Sequence, residues 1–208
     1  MRQSNLKYLI LSILVLSACY VPKNFIRVSY PLELQLAPII SLDSTTPVLY
    51  SAEFEVLKYK FSGLIAFRRM PENKETRIVF LTEVGIRVME FTFQNEEITN
   101  TYCIEAIQRK SIKKFIESFL QMLLSKPDPH SVYLSKTDTK SDYFCRLKKG
   151  NATYEFIANK RTHVLLHKGR KKISEGKYLI SSTLPDEILV TMKYNTQIQL
   201  KKVDNAFK

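Results

Sequence analysis

Arg77-Ile78-Val79-Phe80-Leu81-Thr82-Glu83-Val84-Gly85-Ile86-Arg87-Val88-Met89-Glu90-Phe91 is the stretch that decides the fold. Arg77 to Leu81 is a mostly apolar run, suited to a strand buried on both faces. Gly85 marks a tight connection, because glycine enters the left-handed region without a Cβ penalty. From Ile86 to Gln94 the apolar period is two, which places Met89, Phe91 and Phe93 on one face. Asn95-Glu96 is a candidate hairpin turn, and Ile98 to Cys103 returns. Connections this short join antiparallel neighbours.

The same pattern extends in both directions. Upstream, Phe54-Glu55-Val56 alternates. Phe61, Gly63, Ile65 and Phe67 share one side of a strand, and Pro71-Glu72-Asn73-Lys74 is a turn. Downstream, the period changes once. Ile112, Phe115, Ile116, Phe119, Leu120, Leu123 and Leu124 form an amphipathic helical stripe, with Ser111 as the expected cap and Pro127 and Pro129 beyond the end. A polar loop runs to about Asp142. Strands then resume over 143–147, 153–158, 163–167, 178–182, 188–194 and 197–203, with Lys149-Gly150-Asn151 as a hairpin turn. The chain is therefore mainly β with one central helix (α+β), with roughly ten strands. A curved antiparallel sheet or incomplete barrel closing over the helix is expected, with a β-sandwich as the alternative.

The N-terminus carries an address. Arg2 and Lys7 precede an apolar run from Tyr8 to Leu16, about half the roughly 20 residues a spanning helix needs. Leu16-Ser17-Ala18-Cys19 closes it. Basic, then apolar, then small is the order of a secretion signal. A cysteine directly after Leu-Ser-Ala resembles a bacterial lipobox, which makes Cys19 the lipid anchor and first mature residue. Residues 1–18 are then a signal peptide, residues 19–47 a lipidated N-terminus and tether, and residues 48–208 the folded domain. The tether is interrupted by Pro22, Pro31, Pro38 and Pro47. It is apolar enough (Phe25, Ile26, Ile39, Ile40) for part of it to pack on the body. No aspartate follows Cys19, so the common inner-membrane retention signal is missing.

Removal of the signal leaves 190 of the 208 residues, enough for one domain with a sizeable core. Two cations leave with it, so the net charge falls from +12 to +10. Secretion argues against nucleic acid as a partner. Local basic clusters stand at Lys148-Lys149 and from Lys168 to Lys172. They read either as solvated surface or as contacts for anionic phospholipid headgroups. Cys103 and Cys145 can pair once or stay buried as free thiols.

Sites for chemistry are weak. His163-x3-His167 shares one strand face but lacks a third metal ligand, and His130, Cys103 and Cys145 do not have ligand spacing. No Gly-x-Ser-x-Gly occurs. The chain has only five glycines and no phosphate-cradling loop. Asn151-Ala152-Thr153 matches a glycosylation acceptor but reads as hairpin chemistry. No catalytic residue, metal or cofactor is expected, and an envelope hydrolase is the weakest of the functional classes. What remains is apolar: either a plain core, or a cavity between sheet and helix sized for acyl chains.

Four segments in order resemble the LolB family of outer-membrane lipoprotein receptors and the wider LolA/LolB-like group. They are residues 60–67, residues 77–91, the helix 111–124, and the closing hairpin that starts at Leu184-Pro185-Asp186-Glu187-Ile188 and runs to Lys202. The resemblance implies an open barrel whose cavity takes the acyl chains of a lipoprotein. It implies cargo received from a LolA-like periplasmic carrier. It also implies an anchor in the outer membrane, with the body facing the periplasm. Candidate cavity-lining residues are Phe67, Phe80, Met89, Phe91 and Phe93. The family's projecting apolar residue before a turn glycine falls on Val84, with Gly85 after it. Here valine stands where the family has leucine, Glu83 where it has proline, and tryptophan is absent throughout. The competing reading is a structural or interaction lipoprotein of an envelope complex, with a filled core.

Overall fold

The computed structural model describes residues 24–27, 37–42, 45–56, 59–135, 143–147, 150–157, 160–168, 171–179, 184–192 and 196–204. The expected signal peptide, residues 1–18, and the anchor Cys19 lie outside these.

The elements run β1 (Phe25–Arg27), β2 (Val48–Val56), β3 (Tyr59–Met70), β4 (Glu75–Leu81), β5 (Arg87–Gln94) and β6 (Glu97–Cys103). A short 3₁₀ turn (Glu105–Ile107) leads into α1 (Lys110–Leu124). Then come β7 (Pro127–Ser135), β8 (Tyr143–Leu147), β9 (Gly150–Ile157), β10 (Lys160–Lys168), β11 (Lys171–Leu179), β12 (Glu187–Met192) and β13 (Thr196–Lys202). All thirteen strands belong to one sheet, in the order β1-β7-β8-β9-β10-β11-β12-β13-β2-β3-β4-β5-β6. The paired strands are antiparallel. One continuous sheet replaces the β-sandwich alternative, and β1 and β6 are its two edges.

The helix joins the β6 edge to β7, near the opposite edge. It contacts β6, and Met122 lies over Gly176 of β11, where an added Cβ would meet the methionine Cε at 3.1 Å. Seven strand intervals separate β6 from β11, roughly 34 Å in a flat sheet. A 15-residue helix is only about 22 Å long. The sheet therefore curls around α1. Ile116, Phe119, Leu120, Leu123 and Leu124 of the helix share one core with residues from β2 through β5, β7 and β10 through β13.

Most elements follow from local chemistry. Asn95 and Glu96 both adopt positive φ, at 51° and 63°. That matches the twist of a two-residue hairpin. Lys74 closes the expected turn on Pro71. The helix begins at Lys110 rather than after a Ser111 cap. Arg109 is its N-cap, with no side-chain cap hydrogen bond. Arg77 to Leu81 is buried on one face only: Ile78 and Phe80 are covered, whereas Arg77 is exposed and Val79 half-buried.

Three further expectations are corrected. The segment after α1 is strand β7, not a polar loop. It pairs with β1, which arises within the tether. Proline sits at its first position and a register irregularity follows between Pro127 and Val132, where a missing N–H is tolerated. Gly150 and Asn151 belong to β9 and not to the turn, since Leu147 pairs with Gly150. Strand β11 starts at Lys171, ahead of the expected Tyr178, because its outward Lys172, Glu175 and Lys177 hide the inward positions. The packing of the tether is as read: Ile39, Ile40 and Leu42 are buried. The Ile40 N–H donates to the Leu123 carbonyl at 3.0 Å.

Candidate functional site

Strand β4 ends in the turn Thr82–Ile86. The Gly85 N–H donates to the Thr82 carbonyl at 2.9 Å, and the Thr82 N–H donates to the Ile86 carbonyl at 2.9 Å. The Ile86 N–H reaches Thr82 Oγ1 at 3.0 Å. Gly85 has φ +82°, which only glycine adopts without strain. Gly63 of β3 lets this end of β4 come close, because a Cβ there would lie 2.3 Å from the Leu81 carbonyl oxygen. The Ser62 hydroxyl donates to the Glu83 carboxylate. That bond ties Glu83 back to β3 and leaves Val84 at the tip. Val84 is 81% exposed and Ile86 63%.

Behind the turn, the core-facing side chains of β2 to β5 meet. Phe67, Phe80, Met89 and Phe91 are buried, and Phe93 is half-buried against the same core. Strand register sets this: Phe80 opposes Met89, and Ile78 opposes both Phe67 and Phe91. The structure therefore brings the five expected lining residues to one face. Sequence reading did not join Phe54 and Phe61 to them. Phe61 stacks on Phe54 at 5.3 Å, Phe54 lies 6.1 Å from Phe80, and Phe80 lies 5.9 Å from Phe91. Phe91 is fully buried, whereas Phe61 is 53% exposed. A line of four rings thus runs from solvent into the core. The signal was in the sequence: Phe61 alternates in phase with Gly63, Ile65 and Phe67. Its place at the open end of β3 depends on the register with β2.

A cleft of about 380 Å³ adjoins the solvent end of that line: Phe54 and Phe61 line it together with Glu53, Glu55, Lys60, Ser62, Glu83, Gln197 and Gln199. Its polar residues alternate with the core-facing ones, so it opens toward the outer face. None of the five expected lining residues borders it.

The remaining candidates separate. His163 Nε2 lies 2.8 Å from Glu175 Oε1 on the outer face, and Lys172 Nζ lies 2.9 Å from Glu175 Oε2. The Lys172 hydrogen bond, then that of His163, holds the Glu175 carboxyl below its usual range, against some burial. Cys103 is a free thiol. The side chains of His130, Cys145 and His167 lie outside the described set. Among the described residues no group of three His, Cys, Asp or Glu could hold a metal ion, and no helix is long and apolar enough to cross a membrane.

No family model and no curated protein matches the chain. Among solved structures, it is similar to a DUF1329 family protein from Desulfovibrio piger ATCC 29098. The likeness covers 80% of this chain and 88% of that one, with 7% identity and a TM-score of 0.42. At that distance it lends no weight to an assignment of function.

Proposed function

We propose that this protein is a lipoprotein anchored through Cys19 in the outer membrane, facing the periplasm. In this reading it is non-enzymatic and holds acyl chains of a lipid or lipoprotein against the core face of its open sheet. This is LolB-like work: cargo arrives from a LolA-like periplasmic carrier, and Val84 at the turn tip touches membrane or cargo. The observation that carries the reading is the ring line Phe61–Phe54–Phe80–Phe91, open to solvent at one end and fully buried at the other. Apolar rings in that order offer a chain somewhere to start and somewhere to go. The lipobox order at Cys19 supplies the compartment in which such chains need handling.

A form beginning at Tyr20 should bind a fluorescent fatty-acid probe and gain thermal stability as the probe is added, by mass action. Failure to bind would sink the carrier reading. Cys19→Ala should release the protein from membranes or leave its precursor uncleaved. An unchanged membrane fraction with a normal mature mass would remove the anchor.

The second reading is an interaction lipoprotein with a filled core. It is favoured by the burial of Phe67, Phe80, Met89 and Phe91 within one packed cluster with α1. The probe experiment separates the two.

A further inference from the structure

The lead-in to the domain is fastened to the body at two places of different strength. At the first, β1 adds Phe25, Ile26 and Arg27 to the side of β7, opposite Ser135, Leu134 and Tyr133. It is three residues long and an edge of the sheet; Phe25 is half-buried, and Ile26 and Arg27 are exposed. At the second, Ile39, Ile40 and Leu42 are buried. The Ile40 N–H donates to the Leu123 carbonyl and Arg69 Nη1 donates to the Leu42 carbonyl, both at 3.0 Å. Short edge elements with little buried apolar surface open locally while the core stays closed. The first fastening therefore opens ahead of the second.

The place of β1 matters because the two ends of the sheet are far apart. Hairpins of an antiparallel sheet alternate between its ends. Phe25↔Ser135 lies beside Leu134↔Tyr143, at the end where Met70↔Glu75 and Gln94↔Glu97 also close. Leu81↔Arg87 closes at the opposite end, which carries Val84 and, through Val56↔Tyr59, Phe61. The run of β2 from Val48 to Val56 separates the ends by about 27 Å. Six residue steps separate Cys19 from Phe25, at most about 22 Å of chain. Twenty steps separate Cys19 from Ile39, at most about 70 Å.

We propose that β1 is a releasable strap that sets the length of the membrane leash, and so selects which end of the sheet meets the bilayer. This rests on the lipid anchor and the carrier role proposed above, and it orders their steps. With β1 docked on β7, the leash is shorter than the sheet is tall. The Met70–Glu75 end then lies nearest the membrane, and the Phe61 mouth of the ring line points into the periplasm, where a carrier arrives. With β1 released, the body is held only through its buried Ile39–Leu42 fastening, on a leash long enough for it to turn over. The same release carries the mouth of the site from the carrier to the membrane.

The chain has no tryptophan, so Glu72→Trp can report on one end and Val84→Trp on the other. Lipidated full-length protein is reconstituted in vesicles of phosphatidylethanolamine and phosphatidylglycerol that carry a dansyl-labelled lipid, and energy transfer from each tryptophan is read. Arg27→Cys/Tyr133→Cys, in a Cys103→Ser/Cys145→Ser chain, closes the strap with a disulfide, since direct antiparallel partners lie within bonding distance. Ile26→Pro/Arg27→Pro opens it, because one of two adjacent N–H groups must face β7. In the oxidised lock Glu72→Trp should transfer about twice as strongly as Val84→Trp, as a leash of at most about 22 Å requires. Reduction of the same sample should lower that ratio, and the proline pair should make the two ends equal or reverse them while keeping fatty-acid probe binding. Equal transfer from the two ends in the oxidised lock would overturn the strap, as would a ratio that neither reduction nor the prolines lower. Vesicles that retain no protein would remove the anchor and the strap together. Loss of probe binding in every form, with the transfer ratios as expected, would count against the carrier reading alone.

Discussion

The Tyr50 hydroxyl donates a 2.9 Å hydrogen bond to the Pro185 carbonyl, across 135 residues of chain. Tyr50 lies on β2 and Pro185 just before β12, while β13 runs between those two strands. The bond thus reaches over one strand and pins the start of the closing hairpin to the first long strand. The ring is fully buried and packs edge-on against Phe67 at 6.0 Å.

Tyr50→Phe should keep the ring packing and lose the bond. The expected cost is about 1–2 kcal/mol, since a carbonyl loses its donor. Chemical denaturation of the two proteins would measure it, and no change in midpoint would mean that water replaces the hydroxyl freely.

Burial, and secondarily the charge of Asp186, push the Tyr50 hydroxyl well above the ordinary tyrosine range. The folded state therefore keeps a proton that the unfolded state releases above about pH 10. Stability from this group is complete below that pH and declines as pH rises above it. Thermal unfolding followed from pH 8 upward should show the decline in the wild type and a weaker one in Tyr50→Phe.

Two glycines should respond differently to the same change. Gly63→Ala forces a Cβ onto the Leu81 backbone carbonyl, which cannot step aside without moving β4. A loss of about 1–3 kcal/mol is expected, as for other overpacked sites. Gly176→Ala meets only the flexible end of Met122, which has rotamers to spare. A change under about 1 kcal/mol is expected there. Unfolding curves showing the reverse order would contradict the register assigned to β3 and β4.

Glu175 is held ionised chiefly by Lys172. Its folded pKa is lowered, so its contribution to stability is present above the unfolded carboxylate range and lost as pH falls. Lys172→Ala should move the Glu175 titration upward, readable from its side-chain carboxyl resonance. A midpoint that stays in place would mean that His163 alone suffices.

Much of this fold is legible in residues 77–103. Period-two runs, Gly85 and Asn95-Glu96 fix three strands and two turns with no tertiary information. The helical stripe from Ile112 to Leu124 is equally local. What escaped reading depends on distant partners. Phe25–Arg27 forms a strand because β7 lies beside it. Pro127 and Pro129 suggest a loop, yet the irregular register with β8 accommodates them. Gly176 interrupts the β11 pattern because α1 crosses above it. The candidate site divides along the same line. The five expected lining residues share a face by alternation alone. The solvent end of the ring line, Phe61, is set by where β3 ends against β2.

Phe61 is also where function and core can be told apart. Substituting any fully buried ring would damage the fold and the site together. Phe61 is half exposed, and its ring adds a stacking contact worth about 1 kcal/mol. Phe61→Asp should therefore leave thermal stability close to that of the wild type. A carboxylate at the mouth of the ring line should still oppose the passage of an acyl chain, because ions are costly to bring into apolar surroundings. Fatty-acid probe affinity should fall at least tenfold in Phe61→Asp, about 1.4 kcal/mol, and recover in Phe61→Leu. If both variants bind as the wild type does, chains do not enter past Phe61. If Phe61→Asp unfolds, the ring belongs to the core, and the filled-core reading takes precedence.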